Sequence, residues 1–214
     1  MIAEEALAKL ALEISVCTKC VLHQSRKIAV PGEGPATAEI MFIGEGPGFH
    51  ENEQGRPFVG AAGKFLDQLL EQADLTRSDV WITNVVKCRP PGNRDPLPDE
   101  LDTCCDTYLD KQIEIINPSI IVTLGRFSMG RFVPGAKITG IHGQMRKVGD
   151  RYVIPMFHPA AALHQVALKP SIMADFAKLP ELLKEARAGL GKAAVDDKKV
   201  QKDAKDTPKQ MNLF

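Results

Sequence analysis

Four apolar runs punctuate the chain, and each gives way to a polar or glycine-rich turn. Ile40–Ile43 leads into Gly44-Glu45-Gly46-Pro47-Gly48, Val80–Val86 carries Asn84 near its end, Ile120–Leu124 leads into Gly125, and Tyr152–Phe157 leads into His158-Pro159. Short continuous apolar runs bounded by turn signals read as strands buried on both faces. Between them, apolar residues recur at helical spacing. Leu7, Leu10 and Ile14 mark 3–15; Phe65, Leu66, Leu69 and Leu70 mark 61–72; Leu101, Leu109, Ile113 and Ile116 mark 98–116; Ile172, Phe176, Leu179 and Leu183 mark 171–188. Pro180 is expected to kink or break the last of these. Strands alternating with helices predict an α/β fold, a three-layer α/β/α sandwich around a central, mostly parallel four-stranded sheet. In such sheets ligands sit at the carboxyl ends of the strands, where the polar turns fall.

The pattern changes in kind after residue 190. From Gly191 to Lys209 the chain carries six Lys and four Asp and almost nothing apolar, which reads as a disordered tether, before an apolar tip Gln210-Met211-Asn212-Leu213-Phe214. The expected organisation is one domain over 1–190 and a tail over 191–214. The 214 residues balance to zero net charge, but the body is net −2 and the tail net +2. That body excludes nucleic-acid binding driven by bulk positive charge and leaves room only for a local basic strip. No apolar run approaches the ~20 residues that span a bilayer. Met1–Leu12 carries Glu4 and Glu5 in place of a basic leader, so a cytoplasmic location is expected.

Five cysteines in a cytoplasmic chain point to metal rather than to disulfides. Cys17-x2-Cys20 together with Cys88 and Cys104 offers four thiolates that would tie the N-terminal segment to the loop after a core strand. Soft thiolates suit tetrahedral zinc or an iron–sulfur cluster, and spacing does not separate the two. Cys105 adjoins Cys104, and neighbours on a helix point about 100° apart, so only one of them faces the site easily.

Candidate binding residues gather at the strand ends. The Gly44–Gly48 turn permits a close backbone approach to a ligand, and no Lys-Ser/Thr follows to make it a nucleotide-phosphate loop. Phe58, between Pro57 and Val59-Gly60, is either a core plug or a stacking platform for a planar ring. Asn84 offers one acceptor and two donors, enough to read the edge of a nucleobase. His158 ends the last run.

The segments Gly44–Gly48 with Gly55–Gly63, Asn84-Val85-Val86-Lys87-Cys88-Arg89-Pro90-Pro91-Gly92-Asn93-Arg94 and His158-Pro159-Ala160-Ala161-Ala162-Leu163, with the cysteine spacing, resemble the family 4 uracil-DNA glycosylases. These are the iron–sulfur branch of their superfamily, and the resemblance spans about residues 17–183. It implies a structural 4Fe–4S cluster on Cys17, Cys20, Cys88 and Cys104, with Cys105 a bystander. It implies hydrolysis of the N-glycosidic bond of a flipped-out deoxyuridine in base excision repair, releasing uracil and leaving an abasic site. Phe58 would stack on uracil, Asn84 would accept from N3–H and donate to O4, and backbone near Glu45 and Gly46 would hold the O2 side. His158 would donate toward O2 as imidazole or imidazolium. Glu45 and Glu51 join His158 as catalytic candidates, Glu51 either excluding the thymine methyl or influencing the attacking water. Leu163 resembles the loop that enters the minor groove, and Arg56, Lys87, Arg89 and Arg94 are candidate phosphate contacts.

Gly46 stands where the best-known branch has a water-positioning Asp, so leaving-group stabilisation is expected to carry the reaction. The basic insertion by which a related branch traps uracil covalently is absent after the Asn84 strand, so turnover is expected. The 210–214 tip resembles the peptide by which bacterial repair proteins bind the sliding clamp. The chain is expected to be monomeric. The competing reading is a catalytically weak protein that binds uracil or abasic DNA as a clamp-associated partner.

Overall fold

In the computed structural model, which describes residues 2–205 and their side chains as far as residue 190, all four apolar runs form strands of one sheet. The elements are α1 (Ala3–Ser15), β1 (Ile40–Gly44), α2 (Phe49–Gln54), α3 (Ala61–Gln72), β2 (Val80–Asn84), α4 (Pro98–Cys104), α5 (Asp110–Ile116), β3 (Ile120–Leu124), α6 (Arg126–Phe132), α7 (Ile138–Ile141), β4 (Arg146–Val148), β5 (Arg151–Met156), α8 (Ala161–His164) and α9 (Lys169–Lys205). The strand order is β2-β1-β3-β5-β4. The first four pair in parallel, and β4 returns antiparallel on the β5 edge.

This fifth strand adds to the four expected. It is three residues long and nowhere fully buried, so no apolar run announces it. Its signal is the turn, with Gly149 at φ +59° closing a hairpin onto Arg151.

Strand pleating divides the sheet between two cores. Ile40, Phe42, Ile82, Val122 and Ile154 face α3 and α9, and Met41, Ile43, Trp81, Ile121 and Val153 face α1 and α5. Three layers follow. Phe42 is fully buried and stacks on Phe176 of α9, with ring centroids 6.3 Å apart. Truncating such a ring costs about 3–5 kcal/mol.

Two helices depart from expectation. α9 runs through Pro180 unbroken, because Phe176, Leu179, Leu183 and Ala186 keep one face buried across it. Its backbone stays helical to Lys205, past residue 190 where the tether was expected to start; Lys, Asp, Ala and Gln at 192–205 offer no helix breaker. The 210–214 tip lies outside the described residues. The helix expected over 98–116 is interrupted by one π turn, Cys105–Leu109. No helix among the described residues is long and apolar enough to cross a membrane.

Candidate active site

The strand order reverses direction between β1 and β3, which opens a crevice at their carboxyl ends. A cavity of about 540 Å³ occupies it. The chain after β1 supplies Glu45–Gly48, the end of β2 Asn84, the turn after β3 Gly125 and Arg126, and the end of β5 Phe157 and His158; Phe58 enters from the α2–α3 loop. The loops extend the sheet's own ladder. Val85 and Val86 donate to the carbonyls of Gly44 and Glu45 at 3.0 and 3.2 Å.

Asn84 is 1% exposed, and its Oδ1 has no hydrogen-bond partner among the described residues. A buried amide oxygen left without a donor costs about 1–3 kcal/mol, so its position in a cavity wall marks where a ligand N–H belongs. A Cβ on Gly44 would collide with both this oxygen and the Phe58 ring, so only glycine lets the two sit side by side.

Phe58 has φ +53°, in the left-handed region that costs a non-glycine residue roughly 1–2 kcal/mol. Its ring lies against His158, with centroids 5.5 Å apart and planes 23° from parallel. Glu51 braces this loop. Its Oε1 accepts from the N–H groups of Val59 and Gly60, both at 2.9 Å, and its Oε2 from Gly48 at 3.1 Å. Those bonds occupy the carboxylate and make Glu51 a clasp between two loops. On the outer side Arg77 donates to the carbonyls of Pro57 and Phe58.

His158 is half-buried in the cavity wall. Its Nδ1 accepts from the Ala160 N–H at 3.1 Å. Burial lowers its pKa to about 4 against the pull of Glu51, so at neutral pH the ring is uncharged and its proton sits on Nε2. Sequence left that choice open. Burial pushes the Glu45 carboxyl above its usual value, although Glu45 accepts from the Phe127 and Arg126 N–H groups at the start of α6.

Lys87 corrects a sequence expectation. It is not a phosphate contact: it is 1% exposed, and its Nζ donates to Thr83 Oγ1, the Asn84 carbonyl and Gln112 Oε1 at 2.6, 2.8 and 2.7 Å. Burial lowers its ammonium to about 8. The cation is held inside, fastening the end of β2 to α5. The arginines stay nearer the surface. Arg56 pairs with Glu33, Arg94 forks onto the fully buried Glu100, and Arg89 bonds Asn93 with its guanidinium 5.3 Å from the Phe49 ring centroid. Leu163 on α8 is 49% exposed beside the mouth.

Cys17, Cys20, Cys88 and Cys104 line one small cavity with Ile14, Leu22 and Tyr108. None of the five cysteines is in a disulfide. N–H groups point at the sulfurs: Lys19 toward Cys17 at 3.5 Å, Arg26 toward Cys88 at 3.4 Å, Leu22 toward Cys20 and Lys87 toward Cys104. Burial raises the thiols of Cys20 and Cys88 and pushes Cys104 up to about 12, so thiolates here require a positive partner. Cys105 turns to the other core, against the Val85 carbonyl. Among the described residues, no group of three or more His, Cys, Asp or Glu side chains is placed to hold a single metal ion.

Sequence reading missed Arg77, Glu33, Gln112 and Arg26. Gln112 alone carried a signal, a polar residue in the buried stripe Tyr108–Gln112–Ile116.

A crevice at the sheet's switch point, with an amide, an aromatic ring and a neutral histidine facing it, defines a pocket for a planar heterocycle. Residues 31–183 match the Uracil DNA glycosylase superfamily, and the chain belongs to it. Within it, five relatives at 43–50% identity are type-4 uracil-DNA glycosylases, and type-5 enzymes match less of the chain. The type-4 uracil-DNA glycosylase of Sulfurisphaera tokodaii is 50% identical over 190 residues, 83% of this chain and 85% of the relative. Those of Archaeoglobus fulgidus and Thermotoga maritima are 44% and 43% identical, over 83% and 85% of this chain and 94% and 97% of the relatives. The chain is a member of the type-4 group.

Proposed function

We propose that the chain hydrolyses the N-glycosidic bond of a flipped-out deoxyuridine in DNA, releases uracil and leaves an abasic site. The unpartnered Asn84 Oδ1 carries this reading. It accepts from uracil N3–H while the same amide donates to O4; cytosine presents the opposite pattern and is rejected. Phe58 stacks on the ring. As the bond breaks, negative charge grows on O2, and His158 Nε2–H with the backbone around Gly46 meets it. A neutral donor needs no proton transfer. Glu45, its carboxylate held by the N–H groups at the start of α6, orients water or opposes developing positive charge. Leu163 props open the stack; Arg56, Arg89 and Arg94 hold phosphates.

Cys17, Cys20, Cys88 and Cys104 hold a 4Fe–4S cluster that fastens the N-terminal segment to the loops after β2. The all-thiol set, the N–H groups on its sulfurs and the apolar enclosure fit such a group. When bound it supplies structural cross-linking, since hydrolysis needs no redox step. Residues 210–214 dock on a sliding clamp. Their sequence supports this, and so does a near-neutral body that gains from tethering. Deleting 210–214 abolishes clamp binding without slowing cleavage of a free oligonucleotide; unchanged clamp affinity overturns it.

The central test is incubation with single- and double-stranded uracil DNA followed by alkali. Strand breaks at uracil and none at thymine or cytosine are expected. Binding without breaks would instead favour the weak-binder reading.

A further inference from the structure

We infer that Arg77 is a positioning residue for base recognition, acting through Phe58, with Glu33 as its anchor. The inference rests on the assignment of Phe58 as the ring that stacks on the flipped base.

Phe58 cannot hold its place by itself. Its backbone is left-handed, a conformation an L side chain leaves unless neighbours enforce it. Sequence position gives no reason for the strain, but the pocket does: this turn aims the ring across Asn84 and against His158. Two sets of bonds over-determine the turn. From inside, Glu51 holds the N–H groups of Val59 and Gly60. From outside, Arg77 holds the carbonyls, Nη1 on Pro57 at 3.0 Å and Nη2 on Phe58. The peptide unit after the ring is thus held at both ends, its carbonyl by Arg77 and its N–H by Glu51, and the unit before the ring is held by Arg77.

The guanidinium is fixed in turn. Nη1 also reaches Glu33 Oε1 at 2.8 Å, and Nε reaches Asp67 Oδ1 at 2.6 Å. Glu33 lies on an isolated bridge to β2: its N–H donates to the Ile82 carbonyl at 3.0 Å, and its carbonyl accepts from the Ile82 N–H at 2.8 Å. Burial works against the Glu33 charge, but Arg56 and Arg77 hold its carboxyl below the usual range. A chain of contacts therefore runs from β2, two residues before Asn84, through Glu33 and Arg77 to Phe58. The amide that reads the base edge and the ring that covers its face are registered to the same strand. Gly63 completes the seat, since a Cβ there would collide with the Phe58 carbonyl. A lysine reaches as a point charge and cannot hold two carbonyls and two carboxylates in one plane.

The test is a double-mutant cycle on uracil DNA with Arg77→Met and Phe58→Ala, each variant checked for melting temperature. Arg77→Met is expected to lower kcat/KM by about tenfold, as a misplaced ring does, with Arg77→Lys failing to rescue. In the Phe58→Ala background the same substitution is expected to change kcat/KM by less than about twofold. Losses that multiply fully overturn the role of Arg77 and leave the glycosylase reading intact. A Phe58→Ala enzyme with unchanged kcat/KM overturns the stacking assignment and the inference with it. Should Arg77→Met fail to fold, Glu33→Gln leaves the guanidinium present with only one charged anchor, Asp67. It is expected to lower kcat/KM about threefold, again only where Phe58 is present; an equal loss in both backgrounds counts against the inference.

Discussion

The Ala160 N–H donates to Nδ1 of His158 at 3.1 Å, and this bond decides which proton the pocket sees. With Nδ1 committed as acceptor, the neutral ring offers Nε2–H. The folded pKa of about 4 lies below the ordinary 6.5, so the neutral form is complete at neutral pH and is lost only as pH falls through about 4. Activity is expected to stay flat from neutrality to about pH 5, with no inflection near 6.5 attributable to His158. Between 6.5 and about 4 the unfolded chain binds the extra proton, so acid lowers stability across that window. A kcat profile and a pH series of melts on wild type and His158→Gln check the two points, the variant being about a hundredfold slower. An inflection near 6.5 lost in the variant would contradict the buried neutral ring.

Asn84→Asp should separate recognition from fold. The carboxylate has acceptors only, so uracil O4 loses its donor and faces a charge. A loss of at least about a hundredfold in kcat/KM on uracil DNA is expected, measured below a melting temperature that the buried carboxylate lowers. Competition kinetics between uracil and cytosine substrates measure it, and retention of full uracil activity would reject the proposed contacts.

Lys87 and Arg89, two positions apart, are expected to fail differently. Lys87→Met strands three acceptors in the core and should cost about 3 kcal/mol in a denaturant melt, without altering the salt dependence of DNA binding. Arg89→Ala should leave the melt unchanged and reduce the salt slope by about one. The reverse pattern would place Lys87 on the DNA.

Cys104→Ser should strip iron from the protein and Cys105→Ser should not, because their sulfurs enter different cores. Iron analysis and visible absorbance read this without any activity assay. Equal iron in both variants would move the fourth ligand elsewhere.

Much of this was legible in the chain because parallel strands buried on both faces must be written as unbroken apolar runs, and their ends must be polar. Thus β1, β2, β3 and β5, and with them Glu45, Asn84 and His158, followed from the pattern. β4 did not, since an edge strand needs no apolar run. Lys87 looked like surface charge because a one-dimensional pattern does not say that Thr83, Gln112 and a carbonyl converge on it. Arg77 left no trace, because two of its partners are backbone oxygens that every residue carries and the two carboxylates, Glu33 and Asp67, are brought to it only by the fold. The charge state of His158 depends on burial and on one N–H, and neither is written in a motif.

The ladder that continues past the strand ends, joining Val85 to Gly44 and Val86 to Glu45, fixes the pocket walls when the sheet itself folds. The protein then has little ordering left to do when a base arrives. The work of opening falls on the nucleic acid, which must unpair and unstack before the waiting mould can be filled. Discrimination thus begins outside the protein: a uracil already loosened by a mismatch or a missing partner strand reaches the mould at a lower cost than one locked in a sound pair.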